Sequence, residues 1–152
     1  MRILVLTPLS KLLAKRQYIF VKGKQYTVTE EIFRNPMIEG RATACYFVER
    51  DGRTYALKDA WIIKDRHHSE VFFLQLAKEK GITSGIPQLE DWEDVLIGGI
   101  IDSCENNRGK WADFPDCVHR RLVFKTCGVP LWHFRTRREL LMAILDCIKS
   151  MS

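Results

Sequence analysis

Two residues apart on a strand-like run, Ala56 and Lys58 would point to one face, with Tyr55 and Leu57 on the other. A small residue beside a lysine leaves room for a flat ring while the ammonium reaches toward phosphate. Further along, Glu70 lies near the start of a helical stretch, where a carboxylate can pair with Lys58 and hold it in position. Helical spacing puts Glu70 on a face with Phe73, Leu74 and Ala77, at the edge of the buried side. Upstream, Gly40-Arg41-Ala42-Thr43 precede a tight hairpin, a place where a strand-turn-strand unit can drape backbone amides over phosphates. Each feature has an ordinary alternative. A lone lysine on a half-buried strand is usually a surface residue, and a first-turn glutamate complements the helix dipole. What singles the three out is their order along the chain.

The elements that must position them are readable to different degrees. Residues 1–25 are basic, and Val21-Lys22-Gly23-Lys24 has the look of a turn between two short strands. Tyr26 and Val28 alternate in the strand manner until Asn35-Pro36 breaks the run. Ala44 to Arg50 and Arg53 to Asp59 are strand-like runs joined by Asp51-Gly52, a dipeptide suited to the positive φ angles of a two-residue hairpin turn. Asp65 is positioned to cap a helix running to about Lys80 and ending at Gly81. Strands are expected from Gln88 to Leu96 and from Ile97 to Ile101, a loop from Cys104 to Asp116, and a strand from His119 to Lys125. Thr136 and Glu139 have capping-box spacing, and Leu140, Leu141, Ile144, Leu145 and Ile148 follow as an apolar helical stripe. The layout is α+β: a twisted antiparallel sheet of about five strands, one packed helix and one terminal helix.

A glycine-containing turn, an Ala-x-Lys strand and a helical Glu, in this order, make up the front half of the protein-kinase signature. The stretches Ile38-Glu39-Gly40-Arg41-Ala42-Thr43 and Tyr55-Ala56-Leu57-Lys58-Asp59-Ala60-Trp61, then Glu70, resemble the fungal-type protein kinase family. So do Arg120-Arg121-Leu122-Val123-Phe124-Lys125, Gly128-Val129-Pro130-Leu131, Phe134 and the Arg138-Glu139-Leu140-Leu141 helix, in collinear order from about residue 26 to 148. The resemblance implies an N-terminal extension over 1–25, a kinase-like N-lobe and hinge over 26–127, and the start of a C-lobe over 128–152. It implies that ATP is the cofactor, with Lys58 on its phosphates, Glu70 as the ion-pair partner of Lys58, and Gly40, Arg41, Ala42 and Thr43 as the phosphate-covering loop. Ala56 would face the adenine, Phe124 would stand at the back of the pocket, and the backbone of Lys125, Thr126 and Cys127 would form the hinge.

Two departures from the family pattern matter. The kinase loop is G-x-G-x-x-G, and here only Gly40 is kept, with Ala42 and Cys45 at the other glycine positions. A β-carbon at 42 limits how closely backbone approaches phosphate, so tight ATP binding is not expected. The family also needs an H-R-D loop and a D-F-G aspartate for magnesium. Neither motif occurs in the 152 residues: His119-Arg120 is followed by Arg121, and Asp113-Phe114 by Pro115. No catalytic residue and no metal site is therefore assigned. The expectation is a truncated, inactive form of a Ser/Thr kinase, or a non-catalytic regulatory module of pseudokinase type. In the second case the 136–149 helix would support self-association or pairing with a kinase-like partner.

Bulk properties fit this reading. The chain is 46% apolar and 28% charged, with a net charge of +5. Its 24 cations and 19 anions describe a mixed solvated surface rather than a nucleic-acid footprint. Five scattered cysteines without a Cys-x-x-Cys pair argue against a disulfide framework or a zinc site and for a reducing, intracellular setting in cytoplasm or nucleus. The opening Ile3 to Leu6 run is too short for a signal sequence, and no run reaches the ~20 apolar residues of a membrane span.

Overall fold

The computed structural model describes residues 17–35, 42–64, 68–109, 115–125, 128 and 133–150. Three hairpins supply most of its local order. β1 (Tyr18–Val21) and β2 (Lys24–Arg34) are joined at Lys22-Gly23, and β3 (Ala44–Arg50) and β4 (Arg53–Ile63) at Asp51-Gly52. Both turns have φ positive at both central residues: 49° and 73° in the first, 52° and 70° in the second. This turn twists in the same sense as the strands it joins, which is why two residues suffice.

Helix α1 (Glu70–Glu79) follows β4, and β5 (Leu89–Asp94) follows α1. The third hairpin, β6 (Leu96–Ile97) and β7 (Ile100–Ile101), turns at Gly98-Gly99. After it come a short α2 (Cys104–Arg108), strand β8 (Cys117–Phe124) and helix α3 (Arg137–Ser150). The main sheet has six antiparallel strands in the order β1-β2-β3-β4-β8-β5. β8 is thus inserted between β4 and β5, the two strands that α1 connects.

Several boundaries differ from the sequence reading. α1 starts at Glu70 with Ser69 as its cap, the Phe72 amide donating to Ser69 Oγ at 3.2 Å, while Asp65 lies outside the described residues. The start is late because β4 keeps pairing with β8 out to Ile63 and Cys117, well beyond Asp59. The C-terminal end at Gly81 is as expected, with φ 70°. The expected loop after Cys104 begins instead as α2, where the Asn106 amide donates to Ser103 Oγ. The 88–96 strand is interrupted at Val95: the β6–β7 hairpin loops out, and Asp102 resumes the pairing with β8. At α3, Thr136 Oγ1 accepts from the Glu139 amide at 3.2 Å, while the Glu139 carboxylate takes the Arg135 amide rather than that of Thr136.

The sheet curls until its first and last strands approach. Lys22 and Lys24 both reach Asp91 on β5, at 2.9 and 2.6 Å, although Asp91 is only 7% exposed. The Lys22 amide donates to Glu93, and Arg121 donates to the Phe20 carbonyl. Inside the curl lies the main core: Ile19, Val21, Tyr26, Ala44, Tyr46, Val48, Tyr55, Leu57 and Val123. Tyr26 and Tyr55 meet edge to face, and Arg50 covers both rings while donating to the Tyr26 hydroxyl at 2.6 Å. Among the described residues no helix is long and apolar enough to cross a membrane.

Candidate functional site

The outer face of the same sheet carries the candidate residues. Because side chains alternate, Leu57 and Tyr55 enter the core while Ala56 and Lys58 face α1. Ala56 sits opposite Phe124 of β8 and packs with a second, smaller cluster of Val71, Leu122 and Phe124. Lys58 is flanked by Cys45 on β3 and Leu122 on β8. Its ammonium lies 2.5 Å from Glu70 Oε2. Glu70 is the first residue of α1, so the carboxylate serves the helix terminus and the lysine together. The lysine side chain is 25% exposed and its partner 46%, leaving the pair open on one side.

Glu70 is not grouped with buried neighbours as its spacing suggested. Val71 is the one buried residue of α1, and Phe73 is 54% exposed. The helix docks through Val71 and the half-buried Leu74, so Glu70 is aimed by a single buried contact next to it in sequence. Phe124 is buried. Lys125 is exposed, its amide donates to the Gln88 carbonyl at 2.9 Å, and its ammonium lies 3.3 Å from Glu90. Ala42 is exposed and has φ 39°, and the Thr43 carbonyl accepts from Asn35 at 2.8 Å, tying together the two sides of the β2–β3 loop. Gly40, Arg41, Thr126 and Cys127 lie outside the described residues.

Cys45 is a neighbour the sequence reading treated only as a missing glycine. Burial pushes its thiol up, against the opposing pull of the Lys58 charge. A cleft of about 160 Å³ between α1 and β5 is lined by Leu74, Gln75, Lys78, Leu89, Asp91 and Trp92, and none of these is a candidate residue.

A second polar cluster was invisible in the sequence. His119 lies between Asp59 and Asp102, with Nδ1 at 2.8 Å from Asp102 and Nε2 against Asp59, and its ring stacks on Trp61 at 5.1 Å. Arg121 also reaches Asp59 at 3.3 Å. Burial favours the neutral imidazole, but the two carboxylates outweigh it and hold His119 above its ordinary value. Burial likewise opposes ionisation of Asp59, and His119 and Arg121 overcome it to hold that carboxyl below its ordinary value. This cluster lies on the inner face and does not touch the Lys58 site. Among the described residues no group of three His, Cys, Asp or Glu side chains is arranged to hold a metal ion.

A curled antiparallel sheet whose lysine strand, β4 of the second hairpin, is tied to the first residue of the helix that follows it defines a kinase-like N-terminal lobe. The fungal protein kinase family model matches residues 7–117 and 112–152, and the chain belongs to that family. No curated protein matches it.

Proposed function

We propose that this chain is a nucleotide-binding module of a Ser/Thr protein kinase that holds ATP without itself transferring phosphate. The observation that carries this reading is the 2.5 Å Lys58–Glu70 pair on the open face of the sheet, beside Ala56. An ammonium fixed by a carboxylate is presented to an anion at little further ordering cost, and Ala56 leaves room for a ring above Phe124. The residues present fit the nucleotide's phosphates through Lys58. The aspartates that bind magnesium and handle the substrate hydroxyl in the family pattern are not among the 152 residues. ATP, when bound, supplies the phosphoryl group, and this chain's own residues orient it.

Titration with a fluorescent ATP analogue tests the reading. Lys58→Met is expected to raise Kd by about tenfold, the loss of one charge-assisted contact worth ~1.4 kcal/mol. Wild type that binds no better than the variant would remove the nucleotide reading. Phosphate incorporation into protein substrates that is abolished by the same substitution would remove the claim of inactivity.

A second reading, a regulatory module that pairs with a second copy of itself, is favoured by α3. None of its described side chains is buried, and Leu141 is 66% exposed with Ile144, Leu145 and Ile148 beside it. Covering each such side chain is worth about 1.5–3 kcal/mol. Light scattering should show wild type larger than Leu141→Glu/Leu145→Glu; equal masses would end this reading.

A further inference from the structure

Where the chain returns from the β6–β7 hairpin, it pairs again with β8. The His119 amide donates to the Asp102 carbonyl at 2.9 Å, and Ser103 opposes Val118 in an antiparallel bridge. The next residue on each side of that bridge is a cysteine: Cys104, the first residue of α2, and Cys117, the first residue of β8. Alternation puts this pair on the same side as Asp102 and His119, whose side chains already meet at 2.8 Å. Bridged residues such as Ser103 and Val118 have Cα atoms about 4.5–5.5 Å apart, which brings the adjoining cysteines near the window of roughly 4.4–6.8 Å that a disulfide spans. The Cys117 thiol donates to the Pro115 carbonyl at 3.7 Å, both thiols are free, and both residues are partly exposed. A pair of cysteines adjoining one bridge is thus hidden in a sequence where thirteen positions separate them.

We propose that Cys104 and Cys117 form a reversible dithiol–disulfide site whose oxidant is a small-molecule disulfide of the glutathione class. One cysteine thiolate attacks a sulfur of the oxidant, releasing one thiol and leaving a mixed disulfide. The second thiolate attacks the protein sulfur of that mixed disulfide, releasing the other thiol. Two electrons and two protons leave the protein, and one small disulfide becomes two thiols. The product fastens the first residue of α2 to the first residue of β8 and closes the intervening 105–116 segment into a ring. Burial pushes the Cys117 thiol up, so exchange speeds as pH rises and the thiolate grows. The site lies apart from Lys58 and is independent of the nucleotide reading.

The test is to equilibrate the full chain across a series of oxidised to reduced glutathione ratios, quench in acid, alkylate and map peptides by mass. The expected result is a Cys104–Cys117 peptide lacking two hydrogens, restored to two alkylated thiols by excess dithiothreitol, with Cys45 alkylated throughout. In Cys117→Ser, Cys104 is expected to stop at a stable glutathione adduct, which wild type does not accumulate. Oxidised wild type is also expected to melt several degrees higher than reduced. If both thiols stay free at the most oxidising ratio, end as separate glutathione adducts, or pair with another cysteine, the proposal fails. The wild-type map alone decides it should the variant not fold.

Discussion

The inside and outside of this sheet are built to different standards. Inside the curl, Val21, Tyr26, Val48, Leu57 and Val123 are fully sealed, and the rim is closed by Lys22, Lys24 and Asp91. Outside, α1 buries Val71 alone, and Phe72 and Phe73 are exposed. The inner face is a self-sufficient core. The outer face is a working surface, where one ion pair fixes the lysine and apolar side chains remain open. Stability and the candidate chemistry are thus assigned to opposite sides of the same strand, often to consecutive residues such as Leu57 and Lys58.

The largest expected effect tests that division directly. Leu57→Ala removes a fully buried side chain and is expected to cost about 3 kcal/mol, whereas Phe73→Ala on α1 is expected to cost under about 1 kcal/mol. Denaturant unfolding of both variants decides, and equal costs would mean that the two faces are not energetically distinct.

The inner polar cluster sharpens the contrast through pH. The raised His119 value contributes stability that is fully present below its ordinary 6.5 and is lost as pH rises through the folded value. The lowered Asp59 value contributes stability present above its ordinary 3.8 and lost as pH falls through the folded value. Melting temperature should therefore fall on both sides of the interval in which both groups are charged. His119→Gln should flatten the alkaline limb and leave nucleotide titration unchanged; an unaltered limb would show that His119 is not its source.

Smaller effects belong to the outer face. Glu70→Gln should change stability by less than about 1 kcal/mol, because the pair is partly exposed and salt-screened, while weakening ATP-analogue binding measurably. A large loss of stability with unchanged binding would invert the roles given to the pair. At Ala42 the backbone already has the left-handed φ of 39° that suits glycine. Ala42→Gly relieves strain but frees the unfolded chain, so a net gain of about 0.5 kcal/mol is expected by chemical denaturation.

What the sequence made legible was local or inherited from a recognisable order of residues. Asp51-Gly52 and Lys22-Gly23 declare their turns because the conformation they need is set by the residues themselves. Lys58 and Glu70 stood out only through their place in an ordered series, and the structure brings them into contact. The His119 cluster could not be read, since Asp59 and Asp102 lie 60 and 17 positions away and meet only once β8 inserts beside β4. The same pairing carried β4 on to Ile63 and delayed α1 to Ser69. α2 is five residues long, too short for a period to show, and Ser103 was its one signal. The exposed Phe73 defied its apolar spacing because Val71 and Leu74, not Phe73, meet the sheet.

The β6–β7 hairpin leaves β8 at Val95 and gives it back at Asp102, so the sheet's hydrogen bonds continue as though the six intervening residues had never been inserted. All four aliphatic side chains of that excursion are exposed, on a stalk tipped by Gly98 and Gly99. For an experimenter this is a handle. A fluorophore, an epitope or a shorter polar turn can replace Leu96 to Ile101 without breaking the ladder on either side, and the exchange removes four exposed aliphatic side chains.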